Sequence, residues 1–229
     1  IVAKLSPDLT YSKSTVSRII QELDPQIKKW QQEQLQDYYK YLFTDAVYFY
    51  ARVNHQVISC PMLITAGVDK NGHRKILGTD IAFEESYQSY KNHFKKLKER
   101  GLKSVDLTIS DDHKGLIKAQ QELFPNTPHQ RCICHFMRNV LSYVPYKEKK
   151  RLACYLKQIF NSPNRQMATA IANMIAQKYQ DSYHKVSDML QEELEFTLTY
   201  LDYPDHHQRK IRTTNLIEGV INKDLKQRS

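Results

Sequence analysis

The stretch 105–139, VDLTISDDHKGLIKAQQELFPNTPHQRCICHFMRN, decides how the rest of the chain is read. It opens with an alternation of period two, so that Val105, Leu107 and Ile109 share one face of a strand and Asp106, Thr108 and Ser110 the other. Asp111 continues the apolar face, whereas Asp112 belongs to the opposite one. A carboxylate in register with a buried face is costly unless something positive meets it. Leu116, Ile117, Gln120 and Leu123 then recur at helical spacing, and the segment stops at Pro125. A Cys-x-x-His pair, Cys132 and His135, closes the stretch just before the basic Arg138-Asn139.

Upstream, the chain supplies partners for that strand. From Tyr38 the sequence alternates again, with Phe43, Asp45, Val47 and Phe49 on one face and Leu42, Thr44, Ala46 and Tyr48 on the other. Both faces are largely apolar, as in a central strand covered on two sides. Asp45 is therefore a second carboxylate on a hydrophobic face. Residues 57–68 read as the next strand, Asp69 to Gly72 as a hairpin turn, and 73–83 as a third strand. Pro61 points to an edge position or a bulge near the start of the second strand. A helix is expected from Ser86 to Arg100, ended by Gly101. Strand 103–110, helix 114–123 and a short strand at 128–132 follow. The order is β-β-β-α-β-α, an antiparallel meander followed by a crossover to a parallel strand, which makes a mixed α/β sheet flanked by helices.

Downstream, 136–200 is helical in pattern, with breaks at Pro145 and at Asn161 to Pro163. Residues 202–210 read as a loop, and a last helix starts near Thr213 or Thr214. On it, Glu218 shares a face with Ile221 and Leu225, a third carboxylate on an apolar face. Singly, each acid reads as a strand-end or flanking carboxylate. Three in the order first strand, fourth strand, terminal helix are much harder to obtain by accident. All-oxygen ligands suit hard divalent cations, which points to Mg²⁺ and phosphodiester chemistry. His129, Cys132, Cys134 and His135 are also ligand types, but four within seven residues and no second cluster speak against a tetrahedral zinc site.

At the other end, Val16, Ile19, Ile20 and Leu23 form an amphipathic helix. Its polar face carries Ser14, Thr15, Ser17 and Arg18, donors of the kind a recognition helix presents to the major groove; an ordinary capped surface helix would look the same. Asp24-Pro25 begins a polar helical connector through Gln36. With 34 basic against 25 acidic residues the net charge is +9 and the pI about 9.2, which favours a polyanionic partner, nucleic acid first. The four cysteines form no disulfide framework, and no signal peptide or membrane-length apolar run is visible, consistent with a reducing cytoplasm.

ISDDHKGL (109–116), FPNTPHQRCICHFMRNVLSYVP (124–145) and RTTNLIEGVIN (212–222), with a shorter echo in AGVDKNGHRKILG (66–78), resemble the mutator-type transposases of bacterial insertion sequences. The resemblance implies a ribonuclease-H-like core with an Asp-Asp-Glu triad at Asp45, Asp111 and Glu218. It also implies two Mg²⁺ ions, replaceable by Mn²⁺, and cleavage and strand transfer at insertion-sequence ends. Cys132 and His135 would be auxiliary, as would His113, which either orients a scissile phosphate or serves as a helix cap or packing residue; Arg131, Arg138, Arg212 and Asn215 would touch phosphates. On this reading 1–37 is the remnant of a helix-turn-helix region with its connector, 38–135 the catalytic core, 136–211 a helical insertion, and 212–229 the final core helix. Double-stranded DNA, as terminal inverted repeats and target, would be the partner of a homo-oligomer that is nucleoid-associated and not membrane-bound. The missing initiator Met and the end shortly after a helix-like segment suggest a truncated copy. Two alternatives stand beside this reading. One is a non-catalytic DNA-binding protein, the other a ribonuclease-H-like nuclease without strand transfer.

Overall fold

The computed structural model describes residues 13–53 and 56–217. The chain divides into a unit of residues 1–35 and a unit of residues 36–229. Among the described residues of the first, α1 (Lys13–Gln32) runs unbroken through Pro25. The sequence placed a new start there; proline instead removes one N–H bond while both flanks stay helical.

The second unit is built on a sheet of β1 (Tyr38–Val53), β2 (Gln56–Val68), β3 (Arg74–Ile81), β4 (Ser104–Ser110) and β5 (His129–Arg131), in the order β3-β2-β1-β4-β5. β1 pairs antiparallel with β2, and β2 with β3, whereas β4 runs parallel to both β1 and β5. The meander turns at 69–72, where the Asp69 carboxylate accepts the Asn71 and His73 N–H groups at 2.8 and 2.9 Å and Gly72 takes a positive φ of 84°. Pro61 lies just beyond the Met62–Ile81 pair that ends the β2–β3 ladder, its carbonyl accepting Ala82 N–H at 2.9 Å; the bulge lies instead at Thr65/Ala66.

One face of the sheet carries α2 (Tyr87–Glu99) and α3 (Lys114–Leu123). Ser86 caps α2 through Ser89 N–H, as its position before the helix suggests. Tyr90, Phe94 and Leu97 of α2 are buried with Leu116 and Ala119 of α3, and a chain of hydrogen bonds, Thr44 to Thr65 to His93 to Asp80, pins α2 to the strands. α3 lies so close to the start of α2 that a Cβ at Gly115 would sit 2.6 Å from the Tyr87 nitrogen.

The opposite face, with Tyr41, Phe43, Val47, Leu107 and Ile109, is covered by the helical second half of the chain. α4 (Ile133–Ser142), α5 (Tyr146–Phe160), α6 (Arg165–Tyr179) and α7 (His184–Glu192) supply Phe136, Leu152, Leu156, Ile159, Ala172 and Leu190 to one continuous core. Two 3-10 turns and α8 (Asp205–Ile211) follow. The stretch expected as a loop is thus helical, because Pro204 stands at the N-cap and Asp205 in the first turn. Gln130, fully buried, ties β5 to this half, donating to the Arg131 and Thr197 carbonyls and accepting Tyr200 N–H. A short turn, Asn215–Ile217, returns to the sheet and buries Ile217. Among the described residues no helix is long and apolar enough to cross a membrane.

Candidate active site

Parallel pairing of β1 and β4 aligns Tyr41 with Leu107 and Phe43 with Ile109. Because side chains alternate with period two, the next residue on that face of β1 is Asp45, and the corresponding position after Ile109 is Asp111, the first residue past the end of β4. Asp45 is 6% exposed, within a strand paired on both sides, and its Oδ1 accepts Ala46 N–H at 3.0 Å. Asp111 is half-buried in the turn to α3, its Oδ1 accepting His113 N–H at 3.3 Å. Burial, and then the negative charge of Glu85, hold the Asp111 carboxyl above the usual carboxylate range, against the pull of His113 and His135.

Glu85 is a residue the sequence did not single out. It stands one position before the Ser86 cap, where an acid looks like ordinary helix-start charge. In the fold, the Tyr48 hydroxyl donates to one of its oxygens and the Tyr90 hydroxyl to the other, each at 2.5 Å. Tyr48 comes from β1 and Tyr90 from α2, so elements far apart in sequence hold a third carboxylate next to Asp111. Only tertiary proximity reveals it. Burial and this carboxylate raise Tyr48 to about 12, so the phenol remains a donor; the Tyr90 phenol is raised for the same reasons.

Cys132 and His135 sit at the start of α4, with Cys132 at the N-cap. The Cys132 thiol lies well below its usual range, through hydrogen bonds from Cys134, His135 and Thr214 and the charge of His135, despite burial. His135 is correspondingly raised, first by its hydrogen bond to Cys132 and further by the charges of Cys132, Asp45 and Asp111. The two shifts have one cause: each partner favours the charged form of the other, and the charges of Asp45 and Asp111 favour the protonated imidazole. Thr214 donates both its N–H and its hydroxyl to the Cys132 sulfur, at 3.4 and 3.5 Å, and Ile133 N–H donates to the Arg212 carbonyl at 3.0 Å. The segment leading to Glu218 is in this way tied to the start of α4.

The other expected residues part company. His113 caps α3, its Nδ1 accepting Leu116 N–H at 3.3 Å, and its ring lies against Tyr90. Arg131, expected on DNA, is 2% exposed. It pairs with Glu193 at 2.6 Å and Asp112 at 3.0 Å and lies over the Phe136 ring, so its guanidinium is sealed inside the protein. The reason is its place at the end of β5, beneath the helical half. Arg212 is half-buried and donates to the Phe160 carbonyl, whereas Arg138 and Asn215 are exposed. Ser14, Thr15, Ser17 and Arg18 fall in the first turns of α1, but their side chains lie outside the described residues, as does Glu218. Among the described residues, no three His, Cys, Asp or Glu side chains form a metal-holding group.

Comparison with known proteins closes the question of kinship. A family model described as "Transposase, Mutator family" matches residues 1–229. The transposase for insertion sequence element IS256 in transposon Tn4001 of Staphylococcus aureus is 35% identical over 99% of this chain and 59% of its own length. The transposase for IS406 of Burkholderia multivorans is 32% identical over 98% of the chain and 58% of its own length. That for ISRM5 of Rhizobium meliloti is 33% identical over 96% and 55%. The chain thus spans 55% to 59% of the length of these relatives. A chain of the simian T-cell lymphotropic virus intasome in complex with PP2A regulatory subunit B56 gamma is matched over 79% of this chain and 56% of its own, at 11% identity and a TM-score of 0.28, too low to bear on the fold. Matched end to end by the family model, and over 30% identical to several members along nearly its whole length, the chain belongs to the Mutator family of transposases.

Proposed function

We propose that this chain carries the catalytic part of a transposase that cleaves and transfers DNA strands at insertion-sequence ends, with Asp45, Asp111 and Glu218 holding two Mg²⁺ ions. The observation that carries the reading is the parallel β1–β4 pairing, whose last pair, Phe43 with Ile109, stands two residues before Asp45 on one strand and before Asp111 on the other. A mixed sheet ordered β3-β2-β1-β4-β5, with its first three strands antiparallel, supports a ribonuclease-H-like core, and α4 to α8 then constitute an insertion before the last catalytic residue. Glu218 directly follows Ile217, which is buried in the same core cluster as Phe43 and Ile64, and this supports its role as the third ligand.

The donor set fits hard divalent cations. Asp111 is disfavoured as an anion by burial and by Glu85, so a cation beside it relieves both. Bound Mg²⁺ would activate a water or a 3′-hydroxyl and stabilise the leaving oxygen of an in-line displacement. The chain's own side chains prepare that place. Tyr48 and Tyr90 fix the orientation of Glu85, Thr214 and Cys132 anchor the segment before Glu218, and Asp45 and Asp111 are among the charges that favour the protonated form of His135. Terminal inverted repeats and target DNA would be the substrates, bound by a homo-oligomer.

Calorimetric titration of Mn²⁺, with and without a short duplex, tests the assignment. Binding is expected in the parent chain and lost in Asp45→Asn, Asp111→Asn and Glu218→Gln, each at unchanged melting temperature or above. A parent that binds no metal in either condition, or variants that bind as well as the parent, would refute it.

A further inference from the structure

A second concave site lies away from the three acids. It is a cavity of about 220 Å³ between the 69–72 turn, the start of β1 and α8. Lys40, Lys70, Arg74 and Lys210 all line it, and none of the four takes part in an ion pair among the described residues. The one acid in the wall, Asp69, is already engaged, accepting two backbone N–H groups of its own turn and the His73 ring. Four cations gathered with one committed carboxylate leave a strongly positive cavity.

Its back wall adds a directed donor. The Tyr41 hydroxyl and His207 Nδ1 lie 2.5 Å apart. Partial burial and the charges of Lys40, His206 and Lys210 hold His207 below the usual histidine range, so the ring is neutral near pH 7. In the tautomer in which Nδ1 accepts the tyrosine proton, Nε2 carries the ring proton. Four cations with a neutral imidazole N–H beside them are the chemistry of an oxyanion site, and a phosphodiester is the oxyanion that a transposase meets.

Position agrees. Tyr41 and Phe43 line the cavity and share their face of β1 with Asp45. At roughly 3.3 Å per residue, Tyr41 and Asp45 are about 13 Å apart along the strand. That is about four steps of a DNA strand at ~3.4 Å each. We infer that this cavity binds a backbone phosphate of the DNA, several nucleotides from the one presented to Asp45 and Asp111. The inference rests on the reading above only in taking DNA as the ligand.

The test uses the 229-residue chain and a fluorescent duplex, with anisotropy measured across a salt series in EDTA, so that failure of the metal assignment leaves the result untouched. The variants are Lys70→Gln/Arg74→Gln and Lys40→Gln/Lys210→Gln. The control is Lys149→Gln/Lys150→Gln, two exposed lysines of α5. Each phosphate contact contributes about 0.9 to the slope of log K against log salt. The slope is expected to fall by about one in each cavity variant and to stay at the parent value in the control. Equal slopes in all four proteins, or an equal fall in the control, overturn the inference. A parallel titration with inorganic phosphate follows the His207 ring resonances. Phosphate that shifts them, together with unchanged DNA slopes in the cavity variants, would mark a site for a free anion and overturn it as well.

Discussion

Replacing Arg131 with methionine separates a structural guanidinium from a DNA contact. The side chain is 2% exposed and donates to two carboxylates, Glu193 at 2.6 Å and Asp112 at 3.0 Å, with the Phe136 ring 5.1 Å from its centre. Hydrogen bonds to charged groups contribute about 1.5–3 kcal/mol each. The two acids are 37% and 45% exposed and can rehydrate, which puts both at the low end. The ring contact adds about 1 kcal/mol. Against these stands the buried Nε, which has no hydrogen-bond partner and whose removal returns about 1 kcal/mol. Methionine keeps the apolar stem, so Arg131→Met should cost about 3 kcal/mol, of the size seen when one member of a buried pair is removed. For a domain of this length that lowers the melting temperature by roughly 6–12 °C. Calorimetry gives the melting temperature, and a double-mutant cycle with Glu193→Gln should return a coupling of about 1 kcal/mol or more. In the anisotropy assay the salt slope should not move. A variant that melts within 2 °C of the parent, or loses about one unit of slope, would show that the guanidinium reaches a phosphate after all.

Three further predictions follow from single contacts. Glu85→Gln removes a negative charge beside Asp111, so the Asp111 carboxyl should titrate lower, as followed by carbon NMR of its side chain; an unchanged titration would place Glu85 outside the site. Gly115→Ala drives a methyl toward the Tyr87 backbone and should destabilise by about 1–3 kcal/mol in urea unfolding, while Gly72→Ala, with open space but positive φ, should cost about 1 kcal/mol. His129 is held down to about 4 by burial and by Arg131, with its Nε2 2.8 Å from the Ser110 hydroxyl. The unfolded chain, near 6.5, therefore takes up a proton that the folded one refuses. Stability from this residue is full above pH 6.5 and falls by about 1.4 kcal/mol per unit as pH drops toward 4. His129→Gln should flatten that limb of the urea midpoint against pH, and an equally steep limb would contradict the assignment.

Much of the core was legible because strands advertise themselves by period. Two-sided apolar alternation around Asp45 and the run from Val105 to Ile109 put both acids on inward faces, and the parallel β1–β4 pairing then put those two strands side by side. The helix 205–211 was hidden by its Pro and its paired histidines, which read as loop chemistry until the N-cap role of Pro204 is seen. Arg131 looked like one more cation in a basic chain; nothing local distinguishes a buried guanidinium from a surface one. Glu85 carried no periodic signal, since it stands in the connection before α2.

The sequence by itself determined the succession of strands and helices along the chain, the apolar faces and the placing of Asp45 and Asp111 on them, because a period of two is a local property of the backbone. It carried the family too, in motifs that survive as text. What only the tertiary structure decided is which side chains meet across elements: Tyr48 and Tyr90 on Glu85, Thr214 on the Cys132 sulfur, Arg131 between Asp112 and Glu193, and four cations around one cavity. Those meetings depend on register and on the approach of distant segments. A linear pattern holds no record of either.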